Sequence, residues 1–597
     1  MFAPTRLPSC FAAVLYAAMA LGHLFADPPA TPASHKGAPS QGLTPIMRRL
    51  GYQAIPFQGR AGRFFVPATV DGLKVSLVID TGSPLTALDW KTAAALKLPV
   101  KDEHRVVPPF GGAVRQGTSR IRNLEIGSLN IPVQHDINVT DLDRINGPTN
   151  QPDFVRCDGL LGGDLLGRYA AVIDFDSHHL FLLPPEKYRS LVEGEWQCVS
   201  IKSPAGETAI KPSGKITLTI HDQVLALESQ GKRSEYRYVQ SDDAALTSIE
   251  PRSASSDGTT KAHAGVVRLG TEEIVLCLAP TNSKERPKSF SIPMPGYSTF
   301  TFKRSDGLAE RCPSAIRETQ PSRPGELLRI RGYCESRLTQ LVDRWNRVAG
   351  EVNGRACDLL IDSACANVIL DQGFAKDLAL KLLEGPLADT LGGPVRLAMS
   401  KDKVLLKVGE FESRNASTHV YDFKELNHKL TEMGSRRIAG VIGSNALELH
   451  GAVIDYSNAK VYLCPIENRY AERLRMDWRC VYAERDGTPL AKSDIDKWRI
   501  VGGTDAITIY QGERGIPYRY TIRQGGDQSR YASIALAPVS KSASKVVSRG
   551  IISFSADWTT LWMVIAPANQ PAPSTGFATR GSKNTTMMIL TRVAHGN

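Results

Sequence analysis

Two aspartic acids stand in the same sequence context, 282 residues apart, and each follows a short apolar run. Asp80 follows Leu77–Ile79 and opens Asp-Thr-Gly-Ser, whereas Asp362 follows Leu359–Ile361 and opens Asp-Ser-Ala-Cys. If the two carboxylates face each other, ionising both has a large electrostatic cost, so they share one proton and titrate as a unit. The ionised member then deprotonates a trapped water while the protonated member polarises a scissile carbonyl. This pair predicts hydrolysis of peptide bonds without a cofactor.

The residues next to the aspartates suit this chemistry. Thr81 or Ser363 can fix its turn by hydrogen bonds to the opposite loop. Gly82 offers an N–H close to the carboxylate, with no Cβ in the way. We therefore expect these residues to support the site.

The spacing between the two turns recurs far from them, which indicates an internal duplication. Equivalent residues are Gly72 and Gly354, Leu96 and Leu378, Gly127 and Gly409, Trp196 and Trp478, Cys198 and Cys480, and Tyr236 and Tyr518. Late in each copy the offset becomes 281 residues, as in Gly162 and Gly443. A carboxylate pair can therefore be formed from one carboxylate per copy.

Each copy also contains two apolar residues between glycines, just before a short predicted helix. The segments are Gly159-Leu160-Leu161-Gly162 in copy 1 and Gly440-Val441-Ile442-Gly443 in copy 2. We expect both to pack behind an acidic loop and to hold its carboxylate still.

With these motifs, about 110 residues of each copy resemble the retropepsin-like aspartic peptidases, the family of retroviral proteases and their cellular relatives. The resemblance also includes a helix ending near Leu96–Pro99 and a closing strand Val172–Phe175. In that family the active unit is two lobes, each giving one aspartate. The resemblance implies that Asp80 is catalytic and that Thr81, Gly82 and Ser83 support it.

Copy 2 departs from the family pattern at two positions. Ala364 stands where the family has Gly, and Cys365 stands where Ser or Ala is usual. We expect the methyl group of Ala364 either to crowd the loop or to block the approach of a water, at a cost of about 1–3 kcal/mol for a strained backbone position. Asp362 is nevertheless present, so a dyad with Asp80 remains available.

Short apolar runs separated by Gly, Pro and charged residues predict four mainly-β domains in two pairs. Two closed retropepsin-like β lobes alternate with two small antiparallel β domains, either barrels or sandwiches, with a lipocalin-like barrel as our choice. The predicted segments are a signal peptide (1–26), a flexible lead-in (27–50), lobe copy 1 (51–188), small β domain 1 (189–305), a linker (306–326), lobe copy 2 (327–468) and small β domain 2 (469–597).

The small β domains resemble a repeat domain of secreted planctomycete-type bacterial proteins. The resemblance rests on Glu195-Trp196, Gly265–Arg268, Leu276–Pro280, Arg286-Pro287 and Phe290, with Trp478, Gly550 and Pro567 kept in the second domain. We expect Trp196 and Trp478 to be core anchors rather than ligand platforms.

A flap hairpin is expected between each acidic turn and the following Gly-rich motif. The candidates are Val106–Ile121, around Phe110-Gly111-Gly112, and the counterpart Leu391-Gly392-Gly393. An ordinary surface hairpin is an equal alternative for both.

Composition limits the partners, the location and the metal content that the protein can be expected to have. The net charge is +11 and the pI is about 9.1, but no dense Lys/Arg block or recognition motif is present, so we expect no nucleic-acid partner. Phe11–Phe25 is typical of a cleaved secretory signal, with an uncleaved anchor as the alternative, and predicts a secreted or periplasmic protein without a stable membrane span. Ten cysteines are present, one of them within the signal, and no zinc or redox spacing occurs, so we assign no metal.

Two classes of function follow from these features. The first is an aspartic endopeptidase acting on peptide or protein substrates, either as a monomer that pairs Asp80 with Asp362 or as a homodimer that pairs Asp80 with its twin. The second is a non-catalytic, peptidase-like binding protein whose small β domains mediate recognition. The serine-hydrolase elbow, the zinc-protease helix and the phosphate-binding loop are all absent from the sequence.

Overall fold

The computed structural model describes most of the chain from residue 42 to residue 593. The described residues are 42–60, 62–106, 113–132, 136–147, 155–203, 206–209, 216–239, 247–251, 264–280, 283, 287, 290, 296–304, 321, 323–340, 345–391, 393–415, 418–432, 435–503, 506–524, 531–539, 546–555, 559–570, 579 and 584–593. The predicted signal peptide, most of the predicted linker and the tip of the first flap candidate lie outside them.

Lobe 1 begins with helix α1 (Thr44–Arg49) and also contains α2 (Trp90–Ala95), α3 (Asp143–Asn146) and α4 (Gly163–Arg168). Its strands are β1 (Gln53–Pro56), β2 (Gln58–Arg60), β3 (Arg63–Val70), β4 (Leu73–Ile79), β5 (Ala87–Asp89), β6 (Lys101–Val106), β7 (Val114–Ser119), β8 (Leu124–Ile126), β9 (Leu129–Ile131), β10 (Ile137–Thr140), β11 (Gly159–Leu161), β12 (Val172–Asp174) and β13 (His179–Leu182). Helix α5 (Pro185–Val192) leads into the first small β domain, barrel 1.

The strands of barrel 1 are β14 (Gly194–Ser203), β15 (Gly206–Ala209), β16 (Ile216–His221), β17 (Val224–Ser229), β18 (Lys232–Val239), β19 (Thr247–Pro251), β20 (Gly265–Arg268), β21 (Glu273–Leu278) and β22 (Ser298–Arg304). Helix α6 (Pro324–Ile330) then leads into lobe 2.

Lobe 2 contains helices α7 (Gln372–Asp377), α8 (Lys424–Glu432) and α9 (Ser444–Leu449). Its strands are β23 (Cys334–Gln340), β24 (Asn346–Val352), β25 (Arg355–Asp362), β26 (Ile369–Asp371), β27 (Leu382–Thr390), β28 (Gly393–Ser400), β29 (Val404–Val408), β30 (Phe411–Asn415), β31 (His419–Tyr421), β32 (Gly440–Gly443), β33 (Val453–Asp455) and β34 (Lys460–Leu463).

Helix α10 (Ile466–Leu474) leads into barrel 2, which also contains α11 (Lys492–Ile495). Its strands are β35 (Trp478–Arg485), β36 (Thr488–Pro489), β37 (Trp498–Gly502), β38 (Ala506–Gln511), β39 (Arg514–Gln524), β40 (Tyr531–Pro538), β41 (Ser548–Phe554), β42 (Thr560–Pro567) and β43 (Thr586–Arg592). The mainly-β class expected from the sequence is confirmed.

The two lobes are joined through a shared sheet. Strand β12 of lobe 1 pairs antiparallel with β33 of lobe 2, and Ile173 lies opposite Ile454. These two isoleucines are equivalent residues of the two copies, so the pairing relates the lobes by an approximate twofold axis. The outer strands follow the same symmetry, with β13 and β1 on one side and β34 and β23 on the other.

In each lobe, the strand that precedes the acidic turn is held in the core. Val75, Leu77, Val78 and Ile79 of β4 are all buried, and β4 runs parallel to β11. In lobe 2, β25 runs parallel to β32 in the same way. Because a buried strand with neighbours on both sides has little freedom, its carboxyl end delivers the next residue to a fixed position.

The small β domains are closed antiparallel barrels rather than sandwiches. In barrel 1, β14 pairs with β16 on one side and with β22 on the other, which closes the sheet. In barrel 2, β35 pairs with β37 and β43. Closure removes sheet edges that would otherwise be free to pair with other chains.

The expectation for the two tryptophans agrees with their positions, because both are fully buried. The indole N–H of Trp196 donates to the carbonyl of Val192 at the end of α5, 2.9 Å away. The guanidinium of Arg304, at the end of β22, lies 4.9 Å from the centre of the Trp196 ring. Trp196 therefore fastens the last strand of barrel 1 to the helix that precedes the barrel.

Two other expectations differ from the structure. Residues within the predicted flexible lead-in form α1, and Leu43 and Met47 are fully buried in a cluster with Phe181 and Tyr462. The Pro- and Ser-rich stretch next to this segment favoured the prediction of a flexible lead-in, although the segment itself contains apolar residues. Helices α5 and α10 also run across the predicted lobe-to-barrel boundaries.

A buried ion cluster ties lobe 1 to the helices that flank lobe 2. Asp176 accepts hydrogen bonds from Arg469 at 2.9 Å, Arg473 at 2.8 Å and Arg331 at 3.2 Å. Burial alone would raise the pKa of Asp176, but the three guanidinium groups lower it by more, so the net pKa lies below the usual range. The carboxylate is therefore ionised at neutral pH.

We expect Asp176→Asn to lower the free energy of unfolding by about 3–5 kcal/mol, because it leaves buried guanidinium charges uncompensated. Urea denaturation at pH 7 measures this loss. The matched control is Asp377→Asn, which breaks a half-exposed 2.9 Å pair with Arg355 and should cost at most about 1 kcal/mol. Equal effects of the two substitutions would contradict a structural role for the buried cluster.

Among the described residues, no helix has the length and apolar character needed to cross a membrane. The cysteines within the described ranges are free thiols: Cys157, Cys198, Cys277, Cys334, Cys357, Cys365, Cys464 and Cys480.

Candidate active site

The two acidic turns meet between the lobes. Asp80 directly follows β4, and its backbone N–H donates to the carbonyl of Leu161 at 3.0 Å. Asp362 is the last residue of β25 and lies opposite Gly443 of β32. Each turn therefore contacts the Gly-rich motif of its own copy.

Four reciprocal hydrogen bonds connect the turns across the lobe boundary. The Thr81 hydroxyl donates to the carbonyl of Ile361 at 2.9 Å, and the Ser363 hydroxyl donates to the carbonyl of Ile79 at 2.6 Å. The same two hydroxyl oxygens accept the backbone N–H groups of the opposite turn, at 3.1 Å from Thr81 and 3.0 Å from Ser363. Thr81 and Ser363 are both buried, so these bonds are shielded from water.

The carboxylate of Asp362 lies directly against Gly82 of the opposite turn. A Cβ atom built on Gly82 would be 2.6 Å from Oδ2 and 2.8 Å from Oδ1 of Asp362. The N–H of Gly82 donates to Oδ1 of Asp80 at 3.0 Å. Gly82 therefore contacts both carboxylates, and only a residue without a side chain fits there.

The electrostatics of the two carboxylates follow from this contact. Burial raises the pKa of Asp80, and the nearby charge of Asp362 raises it further. Burial also raises the pKa of Asp362, while the N–H groups of Ala364 and Cys365 lower it. The two groups titrate together and retain one proton at pH values where isolated aspartates are fully ionised.

The two departures of copy 2 are accommodated without backbone strain. The φ angle of Ala364 lies outside the left-handed region, and its N–H donates to Oδ1 of Asp362 at 2.9 Å, as Gly82 does to Asp80. The strain expected at Ala364 is therefore absent from its backbone. The Cys365 thiol donates to the carbonyl of Asn367, in the place where the Ser83 hydroxyl donates to Leu85.

The Gly-rich motifs lie behind the turns. Leu160 and Leu161 are buried in β11, and the N–H of Gly162 donates to the Thr86 hydroxyl at 3.0 Å. In lobe 2, Val441 and Ile442 are buried in β32. A Cβ atom on Gly443 would be 2.5 Å from the carbonyl oxygen of Cys365, so the close approach of this strand to the second turn requires glycine.

Both flap candidates fall in hairpins, although their tips are only partly described. Strands β6 and β7 form the first hairpin, and the residues around Phe110–Gly112 lie outside the described ranges. Strands β27 and β28 form the second hairpin. Its tip residue Leu391 packs against a lobe 1 cluster that includes Leu142 and Leu160, so this hairpin bridges the two lobes.

Sequence reasoning missed the contribution of Leu391, because nothing in its local pattern shows which lobe it contacts. It also missed Tyr456, whose pKa is raised mainly by burial and further by the nearby charges of Asp80 and Asp362. The Tyr456 hydroxyl accepts a 2.7 Å hydrogen bond from Asn346. The only signal in the sequence was that Tyr456 stands where copy 1 has Phe175.

Two clusters of carboxylate or imidazole groups occur among the described residues, and neither includes Asp80 or Asp362. They are Asp89, Asp141 and Asp143, and Glu193, His221 and Asp222. Asp89 already caps α2 and pairs with Arg156. We assign no ion to either cluster.

Comparison with known proteins agrees with the geometry. Residues 66–165 and 348–446 each match the family model described as Aspartyl protease, and together they make up about a third of the chain. Each of the two matched segments is therefore similar in sequence to an aspartyl protease domain. No curated protein sequence matches it.

Two solved structures are similar to parts of the chain. An aspartic proteinase from Irpex lacteus is 13% identical, with 69% of this chain and 97% of that chain covered and a TM-score of 0.28. A retropepsin-like aspartic protease from Rickettsia conorii is 22% identical, with 22% of this chain and 88% of that chain covered and a TM-score of 0.16.

Proposed function

We propose that the chain is an aspartic endopeptidase whose catalytic dyad, Asp80 and Asp362, forms within a single chain. The observation that carries the proposal is the contact of the Asp362 carboxylate with Gly82, next to Asp80. The reciprocal bonds of Thr81 and Ser363 support pairing within one chain rather than between two chains. The two matches to the Aspartyl protease model support the same chemistry.

In the proposed reaction the pair carries one proton, because burial raises the pKa of both carboxyl groups, and we place that proton on Asp80 at the start of the reaction. Asp362 takes a proton from a water molecule, and the oxygen of that water attacks the peptide carbonyl carbon. Asp80 donates its proton to the carbonyl oxygen, which gives a neutral tetrahedral diol. A proton then passes to the amide nitrogen, the C–N bond breaks, and an amine and a carboxylic acid are released.

The supporting roles follow from the contacts. Thr81 and Ser363 fix the two turns relative to each other, and Gly82 and Ala364 each donate an N–H to a carboxylate. The remaining supporting residues hold the two turns from behind: Ser83, Leu160, Leu161, Gly162, Val441, Ile442 and Gly443. The signal-like stretch Phe11–Phe25 supports export, so the natural substrates would be extracytoplasmic peptides or proteins.

The test is cleavage of a denatured protein substrate by the full chain between pH 3 and pH 9, with a pepstatin-type inhibitor as control. We expect a bell-shaped profile, because full protonation removes the base and full ionisation removes the acid. Both limbs should lie above the pKa of an isolated aspartate, about 3.9, since burial raises the pKa of both carboxyl groups.

Activity that is greatest at pH 3 and absent at pH 6 would contradict the proposed electrostatics. Absence of turnover at every pH, from protein shown to be folded by circular dichroism, would favour the non-catalytic binding protein. Cys365 favours that alternative, because it lies beside Asp362 at the position where copy 1 has a serine.

A further inference from the structure

A cavity of about 290 Å³ lies where lobe 2 meets barrel 2 and the base of lobe 1. Lobe 2 contributes Ser413 and His450 to its wall, barrel 2 contributes Phe554, and lobe 1 contributes His178. Neither Asp80 nor Asp362 lines it. Ile442, which supports the second acidic turn, is part of its wall. The cavity therefore adjoins the support of the candidate active site without including either aspartate, and its role does not follow from the proposed peptidase reaction.

The duplication supplies an internal reference for this cavity, because copy 1 has larger residues at three of the equivalent positions. Ser413 lies opposite Leu406 in the β29–β30 pair, and its counterpart Ile131 lies opposite Leu124 in the β8–β9 pair. His450 follows α9, and its counterpart Tyr169 follows α4.

A third position follows the same rule, since Ala446 of α9 corresponds to Leu165 of α4. In copy 1 the counterparts of these residues are buried members of the main apolar core: Ile131, Leu165 and Tyr169. Copy 2 has a serine, an alanine and a histidine where copy 1 has an isoleucine, a leucine and a tyrosine. At these three positions copy 2 therefore has less side-chain volume and more polar groups than copy 1, and loss of packing alone does not require the polar groups.

The polar groups of the wall form an ordered pair. Nδ1 of His450 donates to the carbonyl of Cys464 at 3.1 Å, which leaves Nε2 to accept a hydrogen bond from the Ser413 hydroxyl at 3.1 Å. Burial lowers the pKa of His450 to about 4, so the ring is neutral at pH 7. The ring of Phe411 meets the imidazole edge-on, with 4.7 Å between their centres.

The charges near the cavity do not favour an anionic ligand. Arg469, the cation of the wall, is held by Asp176 and by the carbonyls of Glu448 and Leu449. The carboxylate of Glu448 lines the cavity and lies 3.7 Å from Nε2 of His178. Burial lowers the pKa of His178, so that imidazole is mostly neutral at pH 7. The wall therefore offers aromatic rings and hydrogen-bond acceptors.

We propose that this cavity is a binding site for a small uncharged aromatic molecule that carries one hydrogen-bond donor, of the size and type of indole. An apolar cavity of about 150 Å³ holds one benzene ring, so a cavity about twice as large has room for a fused pair of rings. Phe411, Tyr470 and Phe554 supply aromatic rings to the wall beside the ligand, and Glu448 or Ser413 accepts the hydrogen bond from its donor.

The test measures the binding of indole to the full chain at pH 7 by isothermal titration calorimetry. We expect wild-type protein to bind with Kd below about 1 mM. Ser413→Ile combined with His450→Tyr restores the side chains of copy 1, and should raise Kd at least tenfold while the unfolding temperature stays equal or rises. Ala446→Leu fills the same cavity by one substitution and covers the case in which the double variant fails to fold.

Asp80→Asn serves as the matched control, because it alters the candidate active site and leaves the cavity wall unchanged. Indole should bind to this variant as it does to wild-type protein, whether or not the chain proves to be a peptidase. Absence of indole binding to wild-type protein up to several millimolar would overturn the proposal. So would unchanged affinity in the folded Ala446→Leu variant, since indole would then occupy another site.

Discussion

The Asp362→Asn variant is expected to lose peptidase activity by about 10²–10⁴-fold, and the Asp80→Asn variant by a similar factor. Asparagine has nearly the same shape as aspartate but cannot take a proton from water, so each substitution removes half of the shared acid–base pair. The measurement is the initial rate of cleavage of a denatured protein, at several chain concentrations and at the optimal pH of the wild-type protein.

The concentration series separates pairing within one chain from pairing between two chains. A dyad of Asp80 and Asp362 gives a rate proportional to chain concentration and sensitivity to both substitutions. A homodimer that pairs Asp80 with its twin gives a specific activity that rises with concentration and is indifferent to Asp362→Asn. Asp377→Asn, on the exposed surface of lobe 2, is the matched control and should leave the rate unchanged.

The second large effect is expected from Gly82→Ala. Its methyl group would lie within 2.8 Å of both carboxylate oxygens of Asp362, so the carboxylate must move. A displacement of about 1 Å in a catalytic group costs roughly 10²-fold in rate. We expect a loss of that size in kcat, together with about 1–3 kcal/mol of stability from overpacking.

The equivalent residue of copy 2 provides the matched control. Ala364 already carries a methyl group, and its backbone is unstrained, so Ala364→Gly should change kcat by less than about threefold. Steady-state kinetics and thermal unfolding of both variants check the pair of predictions. Equal losses in the two variants would falsify the asymmetric contact between Asp362 and Gly82.

Local pattern was sufficient to predict the parts of the site that lie close together in sequence. The turns at Asp80 and Asp362, the glycine requirement at Gly82 and the supporting motif around Leu161 each depend on a few consecutive residues. The cross-lobe role of Thr81 and Ser363 was also accessible, because the duplication indicates two facing turns. The mainly-β class followed from the short apolar runs and their turn residues.

The remaining features depend on contacts between residues that are far apart in the chain. Asp176 meets Arg331 and Arg473, which are 155 and 297 residues away, and no local pattern links such residues. Leu391 packs on the opposite lobe for reasons of overall geometry. The polar pair of Ser413 and His450 could have been found by aligning the two copies position by position, because both differ from core residues of copy 1.

The antiparallel pairing of β12 with β33 makes the halves of one polypeptide behave like the subunits of a dimer that cannot dissociate. In an assembly of identical subunits, every substitution appears on both sides of the axis at once. Here each half has its own codons, so the rear half can have Cys365, Ser413 and His450 where the front half has Ser83, Ile131 and Tyr169. Covalent fusion thus allows the rear half to differ from the front half at such positions, without requiring the front half to tolerate the same change.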